Sequence, residues 1–287
     1  MSGVMRRAWA AALVLLTACG TTPSTPVEAP AVQSAEACPY PESGFDCDFQ
    51  RRFDQARRYA ADRPGATALV VRDRERDVVW RNEHAGDMVW TASTIKLAMA
   101  ADLLVRHRSG EIELTAGDRA DMDAMLFDSD DKAATDLWMR YSGDDHRLFN
   151  AHFPGLGLVT LRPQPGYGRV FPYWGFQKCT ADDLDRLLAH VLGGLAAEDR
   201  AYLVDRMRTV APNQQWGVWA AGPGARPGAK NGWAEEDTGW VMNSIGFVGP
   251  AERYTVVILN DLRGEGGYDE GRETTSEVAR LLFAGRF

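Results

Sequence analysis

The sequence predicts a mixed α/β (α+β) domain of two lobes, in which a sheet lobe drawn from both ends of the domain brackets a helical lobe. Three observations carry that prediction. Two β-rich runs, residues 67–72 and 77–82, stand near the front, and two more, 240–248 and 254–260, stand near the end. Between them the apolar residues recur at helical rather than alternating spacing. The composition is that of a folded chain, with 45% apolar and 25% charged residues over 287 positions.

In chain order, residues 1–18 read as an export signal. Arg6 and Arg7 supply the positive start, and an apolar run over 8–16 follows that is too short to span a bilayer comfortably. The run ends in Leu16-Thr17-Ala18-Cys19, which resembles a bacterial lipobox. That resemblance implies that Cys19 becomes the lipidated first residue of the mature protein, held on the outer face of the membrane. Residues 19–47 then form a tether, rich in Pro, Thr, Ser and Ala and without apolar periodicity. The folded domain is expected over 48–287, with its sheet lobe at about 48–92 and 215–287 and its helical lobe at about 93–214.

A helix over 48–62 is stopped by Arg63-Pro64-Gly65. The runs 67–72 and 77–82, joined by a charged turn, predict a hairpin. A helix over 93–107 places Leu97, Ala100, Ala101 and Leu104 on one side. Further helices are expected over 130–141, 181–195 and 199–209, and a last one over 272–283 after the two late strands. No internal repeat is present.

The charge balance excludes one class of partner. With 32 Lys and Arg against 40 Asp and Glu, the formal charge is −8, and an acidic chain repels nucleic acid. Export places the cysteines in an oxidising compartment. Cys38, Cys47 and Cys179 remain once Cys19 is used, so one disulfide and one leftover thiol are expected. Both Cys38–Cys47 and Cys47–Cys179 stay open.

Chemistry concentrates in three short motifs. Ser93-Thr94-Ile95-Lys96 opens a helix. A serine hydroxyl is a poor nucleophile until a base takes its proton. A lysine one turn away can be that base when burial lowers its pKa. Ser129-Asp130-Asp131 follows, running into Lys132-Ala133-Ala134, and Lys230-Asn231-Gly232 comes later, at the start of a strand region. This ordered set resembles the serine β-lactamase and penicillin-binding protein superfamily, and within it the class A β-lactamases, whose elements are Ser-x-x-Lys, Ser-Asp-Asn and Lys-Thr-Gly. The resemblance extends from about residue 48 to the end. It implies a two-lobed β-lactamase or transpeptidase-like fold, with an antiparallel sheet flanked by the terminal helices and an all-helical second lobe.

The resemblance also implies roles. Ser93 is the acylated nucleophile, Lys96 its general base or proton relay, and Ser129 the hydroxyl that passes a proton to the leaving nitrogen. Lys230 is a second cation that attracts an anionic substrate. Asp131, Asn231 and Gly232 border the substrate. The backbone N–H groups of Ser93 and Trp233 form the oxyanion hole. Asp130 is structural. A β-lactam or a peptidoglycan-like D-alanyl peptide is the implied partner. Neither a metal nor an organic cofactor is called for.

Departures from the pattern are equally specific. Asp131 stands where the family has Asn, and an ionised Asp can only accept hydrogen bonds. A carboxylate there pairs with Lys96 and opposes its use as a base; either the site is retuned or Asp131 is held protonated. Asn231 replaces Thr. No Glu occurs from Leu114 to Ala197, although class A enzymes carry on that segment the Glu that positions the deacylating water. The corresponding stretch, Leu161-Arg162-Pro163-Gln164-Pro165-Gly166-Tyr167-Gly168, has no carboxylate, and no Arg lies between Gly239 and Val248. These changes predict slow or atypical deacylation. They also leave open a catalytically weak cell-wall binding module, or an esterase on the same scaffold.

Other features carry less. The five histidines show no metal-binding spacing, and no Gly-x-Ser-x-Gly elbow is present. Gly222 to Gly228 reads as a surface loop. The aromatic group Tyr167, Phe171, Tyr173, Trp174 and Phe176 reads as loop core or cleft lining. Asp144-Asp145 and Glu235-Glu236 read as solvated turns.

Overall fold

In the computed structural model, which describes residues 44–165 and 173–287, the first element is helix α1 (Cys47–Ala61). Asp46 caps it, accepting from the Phe49 N–H at 2.9 Å. Strands β1 (Ala66–Asp73) and β2 (Val78–Arg81) pair antiparallel as the expected hairpin. A short strand β3 (Val89–Trp90) leads through a 3-10 turn, Ala92–Thr94, into helix α2 (Ile95–Arg108). The helical segment continues with α3 (Ala116–Phe127), α4 (Asp131–Tyr141) and α5 (Leu148–His152). Two short strands, β4 (Arg162–Pro163) and β5 (Gln177–Cys179), precede α6 (Ala181–Gly193) and α7 (Ala197–Arg208). The last elements are β6 (Gly228–Glu236), β7 (Gly239–Val248), β8 (Tyr254–Asp261) and α8 (Tyr268–Phe283).

The main sheet runs β2-β1-β8-β7-β6, every pair antiparallel. Its central strands are buried along nearly their whole length because both faces are covered. Alternation still sorts the side chains. Ala68, Val70, Val257 and Leu259 enter the core shared with the helical segment, whereas Leu69, Val71, Val256 and Ile258 enter the core under α1 and α8. In that second core Phe45, Phe49 and Phe53 meet Tyr254 and Phe283. Helix α2 is buried on nearly every side from Ile95 to Leu104, the mark of a central helix rather than an amphipathic surface one.

Contacts divide the chain into Met1–Cys38 and Pro39–Phe287, and the described residues fall in the second unit. The expected export signal, Cys19, Cys38 and most of the tether lie outside the described residues, as do Gly166, Tyr167, Gly168 and Phe171. No helix among the described residues is long and apolar enough to cross a membrane.

Several expectations change. Cys47 is disulfide-bonded while Cys179 is a free, buried thiol, so the Cys47–Cys179 pairing is excluded. Glu235 and Glu236 end strand β6 rather than forming a turn. The last helix begins at Tyr268, a turn earlier than its apolar spacing suggests, because Asp269 and Glu270 in the first turn suit a helix N-terminus. Helix α3 was not foreseen; its signature is the Thr115/Asp118 capping box. The small sheet β3-β5-β4 was also unforeseen, since strands of two or three residues leave no period to read.

Candidate active site

Three segments bring the motif residues together. The first is the turn ahead of α2. The Thr91 N–H donates to Gln177 O at 3.0 Å, and the Thr94 hydroxyl donates back to Thr91 O at 2.6 Å. Asn243 on β7 secures the same corner by donating to Trp90 O at 2.8 Å. Within this brace Ala92 holds a left-handed φ of 44°, a conformation that costs a non-glycine residue roughly 1–2 kcal/mol. Ser93 follows it at 9% exposure, and Lys96, one turn further, is fully buried.

The second segment is the start of α4. Asp130 accepts from the Ala133 N–H at 2.7 Å as the helix cap, the structural role expected of it. Ser129 just before it also has positive φ, 67°. The third is β6, an edge strand of the sheet, which carries Lys230, Asn231, Gly232 and Trp233. The 211–216 loop links the last two segments: Ala211 N–H donates to Phe127 O at 2.8 Å, and the Gln214 side chain to Asp128 O at 3.2 Å. The Asn231 amide in turn donates to Gln214 O at 2.7 Å.

Gly232 marks where β6 meets the Ser93 turn. A β-carbon at Gly232 would lie 2.7 Å from both the Ser93 and Thr94 nitrogens, closer than real contacts allow. Only glycine lets the strand approach this closely, which brings the following residue, Trp233, up beside Ser93.

Two lysines converge on Ser129. Lys230 Nζ lies 2.8 Å from Ser129 Oγ and 2.8 Å from Asn231 O. Lys96 Nζ lies 2.6 Å from Ser129 O, 3.4 Å from Ser129 Oγ and 2.6 Å from an Asp131 carboxylate oxygen. It also sits 4.4 Å from the centre of the Trp174 ring. Burial pushes the Lys96 pKa down, opposed by the Asp131 charge and hydrogen bond. Burial and then the neighbouring Lys96 charge push Lys230 well below its ordinary value. Among the described residues Lys230 has no ion-pair partner, and the Ser93 hydroxyl makes no hydrogen bond.

The structure therefore gathers Ser93, Lys96, Ser129, Asp131, Lys230 and Gly232 into one cluster. Asn231 faces the other way. It is buried, and its amide is consumed by Gln214 O and by the Ser244 hydroxyl, which donates to it at 2.7 Å. What it supports is the 211–216 loop. Trp174 was legible only as a member of an aromatic group. The structure buries it, ties its indole N–H to the Thr135 hydroxyl at 3.2 Å, and fixes its carbonyl through Gln177 at 2.8 Å. Gln214 and Asn243 carried no motif that would have singled them out.

No family model matches the sequence. Two relatives, both named "Putative lipoprotein LppW", from Mycobacterium tuberculosis and Mycobacterium bovis, are each 30% identical over 270 residues, covering 90% of this chain and 80% of theirs. Among solved structures, a β-lactamase from Xanthomonas campestris superposes with a TM-score of 0.70 at 16% identity, covering 82% of this chain and 97% of that one. An ancestral class A β-lactamase gives 0.67 at 19%, covering 80% and 98%. The protein PBP-A gives 0.66 at 18%, covering 81% and 94%. These likenesses confirm the mixed α/β fold expected from the sequence.

Proposed function

Because the chain belongs to the LppW family, we propose that it is an exported lipoprotein, anchored through Cys19 on the outer face of the membrane, whose domain is a serine hydrolase. Ser93 forms an acyl-enzyme with a β-lactam or a D-alanyl peptide-type amide or ester, and deacylation is slow. One observation carries this reading: two buried lysines meet at the Ser129 hydroxyl beside the Ser93 turn. Burying two amines is costly, and a purely structural site gains nothing from it. The N–H groups of Ser93 and Trp233 serve as the oxyanion donors. Ser129 carries the proton to the leaving atom. Gly232 keeps the strand against the nucleophile's turn.

The slow second step follows from what surrounds Lys96. Its neighbours are Asp131, Ser129 and the Trp174 ring. An indole face offers no base to a water molecule. Asp131, the carboxylate nearest the lysines, is engaged by Lys96.

The test is an intact-mass time course of the purified protein with a penicillin, beside Ser93→Ala. The expected result is an adduct on the wild type that persists and is absent from the variant. An adduct that clears while drug is consumed would overturn the slow deacylation. No adduct with penicillin or with a fluorophosphonate would overturn the acyl-enzyme and leave a binding module.

A further inference from the structure

Among the described residues the two active-site lysines have different partners, and the difference assigns their charges. Beyond the Ser129 hydroxyl that it shares with Lys230, 3.4 Å from Lys96 against 2.8 Å from Lys230, Lys96 meets a carboxylate, a backbone carbonyl and the face of an indole ring. All three attract a cation, and none can give a proton to a nitrogen lone pair. Lys230 meets one backbone carbonyl and one hydroxyl. A neutral amine fits that pair: an N–H donates to Asn231 O, while the lone pair accepts from Ser129 O–H. We infer that Lys230 is the neutral amine of the site and the base that acts through Ser129, while Lys96 is a fixed cation held by Asp131.

This assignment deepens the acyl-enzyme reading and rests on it for the chemical step. Two ammonium groups meeting at one hydroxyl repel each other, so one is favoured to lose its proton. The charged groups around them are Asp131 on α4, Asp130 at its cap and Asp128 in the turn before it, and all three favour Lys96. Lys230 feels the repulsion of Lys96 and only the more distant pull of Asp131 and Asp128. The Asp131 substitution thus exchanges the roles of two lysines rather than abolishing the base.

The step balances without a further reactant. The Lys230 lone pair takes the Ser129 hydroxyl proton as Ser129 Oγ takes the proton of Ser93. The Ser93 oxygen bonds to the substrate carbonyl carbon. When the tetrahedral adduct collapses, the bond from that carbon to the leaving nitrogen or oxygen breaks, and the proton returns from Lys230 through Ser129 to the leaving atom. The Ser93 side chain has no hydrogen-bond partner among the described residues, so the step has none to break.

The chain contains just four lysines, Lys96, Lys132, Lys178 and Lys230, so a side-chain lysine NMR titration of the whole protein can be assigned by single Lys→Arg variants. Expected is that the Lys230 resonance titrates at the lowest pH of the four and that Lys96 stays charged to higher pH. In Asp131→Asn the Lys96 resonance moves down towards Lys230. A Lys230 amine still charged at about pH 9, or a Lys96 that titrates first, overturns the assignment. Fluorophosphonate labelling of Ser93 tests the chemistry separately. Its rate should rise with pH through the Lys230 titration and fall about a hundredfold or more in Lys230→Arg, further than in Lys96→Arg. A dead Lys96→Arg beside a reactive Lys230→Arg reverses the roles. The predicted order of titration with no labelling of the wild type overturns the nucleophile, and the base role with it, while leaving the charge assignment standing.

Discussion

Ala92 shows what single residues do in this site. Its positive φ turns the chain so that Ser93 follows at the mouth of α2, and the Thr91, Thr94 and Asn243 hydrogen bonds hold it there. Strain that is held by neighbours serves placement rather than stability. Ala92→Gly should therefore change stability by less than about 1 kcal/mol, the relief of a left-handed alanine being offset by the greater unfolded-state entropy of glycine and the loss of a buried methyl group. It should also slow Ser93 labelling several-fold as the turn loosens. Urea unfolding and labelling rates on the same samples check both, and a variant with unchanged labelling would separate the strain from the site. At this scale the sequence was partly legible. Asp131 in place of Asn pointed to the Lys96 ion pair, because one carboxylate one position along decides a buried amine's partner. The Trp174 ring over Lys96 was not legible, since it reaches the site across 78 positions of chain through a loop with no period of its own.

Elements matter here through how closely they approach. The β6 edge and the Ser93 turn touch at Gly232, where the missing β-carbon is the whole tolerance. Gly232→Ala must push the strand off the turn or deform it. The expected cost is about 1–3 kcal/mol, as for overpacking, together with loss of most Ser93 labelling, because Ser93 and Trp233 separate. Asn231→Ala on the same strand should behave differently. It breaks the link to Gln214 O and Ser244, so stability falls while some labelling remains. If Gly232→Ala unfolds with an unchanged midpoint and labels at the wild-type rate, the close approach does not matter to the chemistry. The long elements were readable from sequence because each repeats its pattern over many residues: α1, α2, α6 and the central strands all begin and end within a few positions of expectation. Strands β3, β4 and β5 and helix α5 were not, being set by contacts between distant segments rather than by their own residues.

Across the whole molecule, the buried amines couple folding to pH. The folded state holds the Lys230 pKa well below the value it regains on unfolding, so in the window between those two values the unfolded chain binds more protons. Stability contributed by such a group is present at high pH and lost as pH falls through the folded value. Unfolding free energy should therefore rise with pH, by up to about 1.4 kcal/mol per unit from this one group. The buried Cys179 thiol works in the opposite direction. Its folded pKa lies well above 9.0, so unfolding releases a proton once pH approaches that figure and stability falls. Below about pH 8.5 the thiol does not interfere. There Lys230→Met should flatten the rise, and near pH 7 it should be at least as stable as the wild type, since an apolar side chain replaces a buried amine. Denaturant unfolding at several pH values decides it: curves that run parallel for wild type and Lys230→Met would mean the amine is charged when folded. The coupling has a structural source that composition could not reveal. A net charge of −8 says only that the chain is acidic, whereas the topology carries one edge strand, one central helix and one capped turn to the same buried point. The two lysines that meet there stand 134 positions apart, and only the folded sheet puts the second within reach of the first.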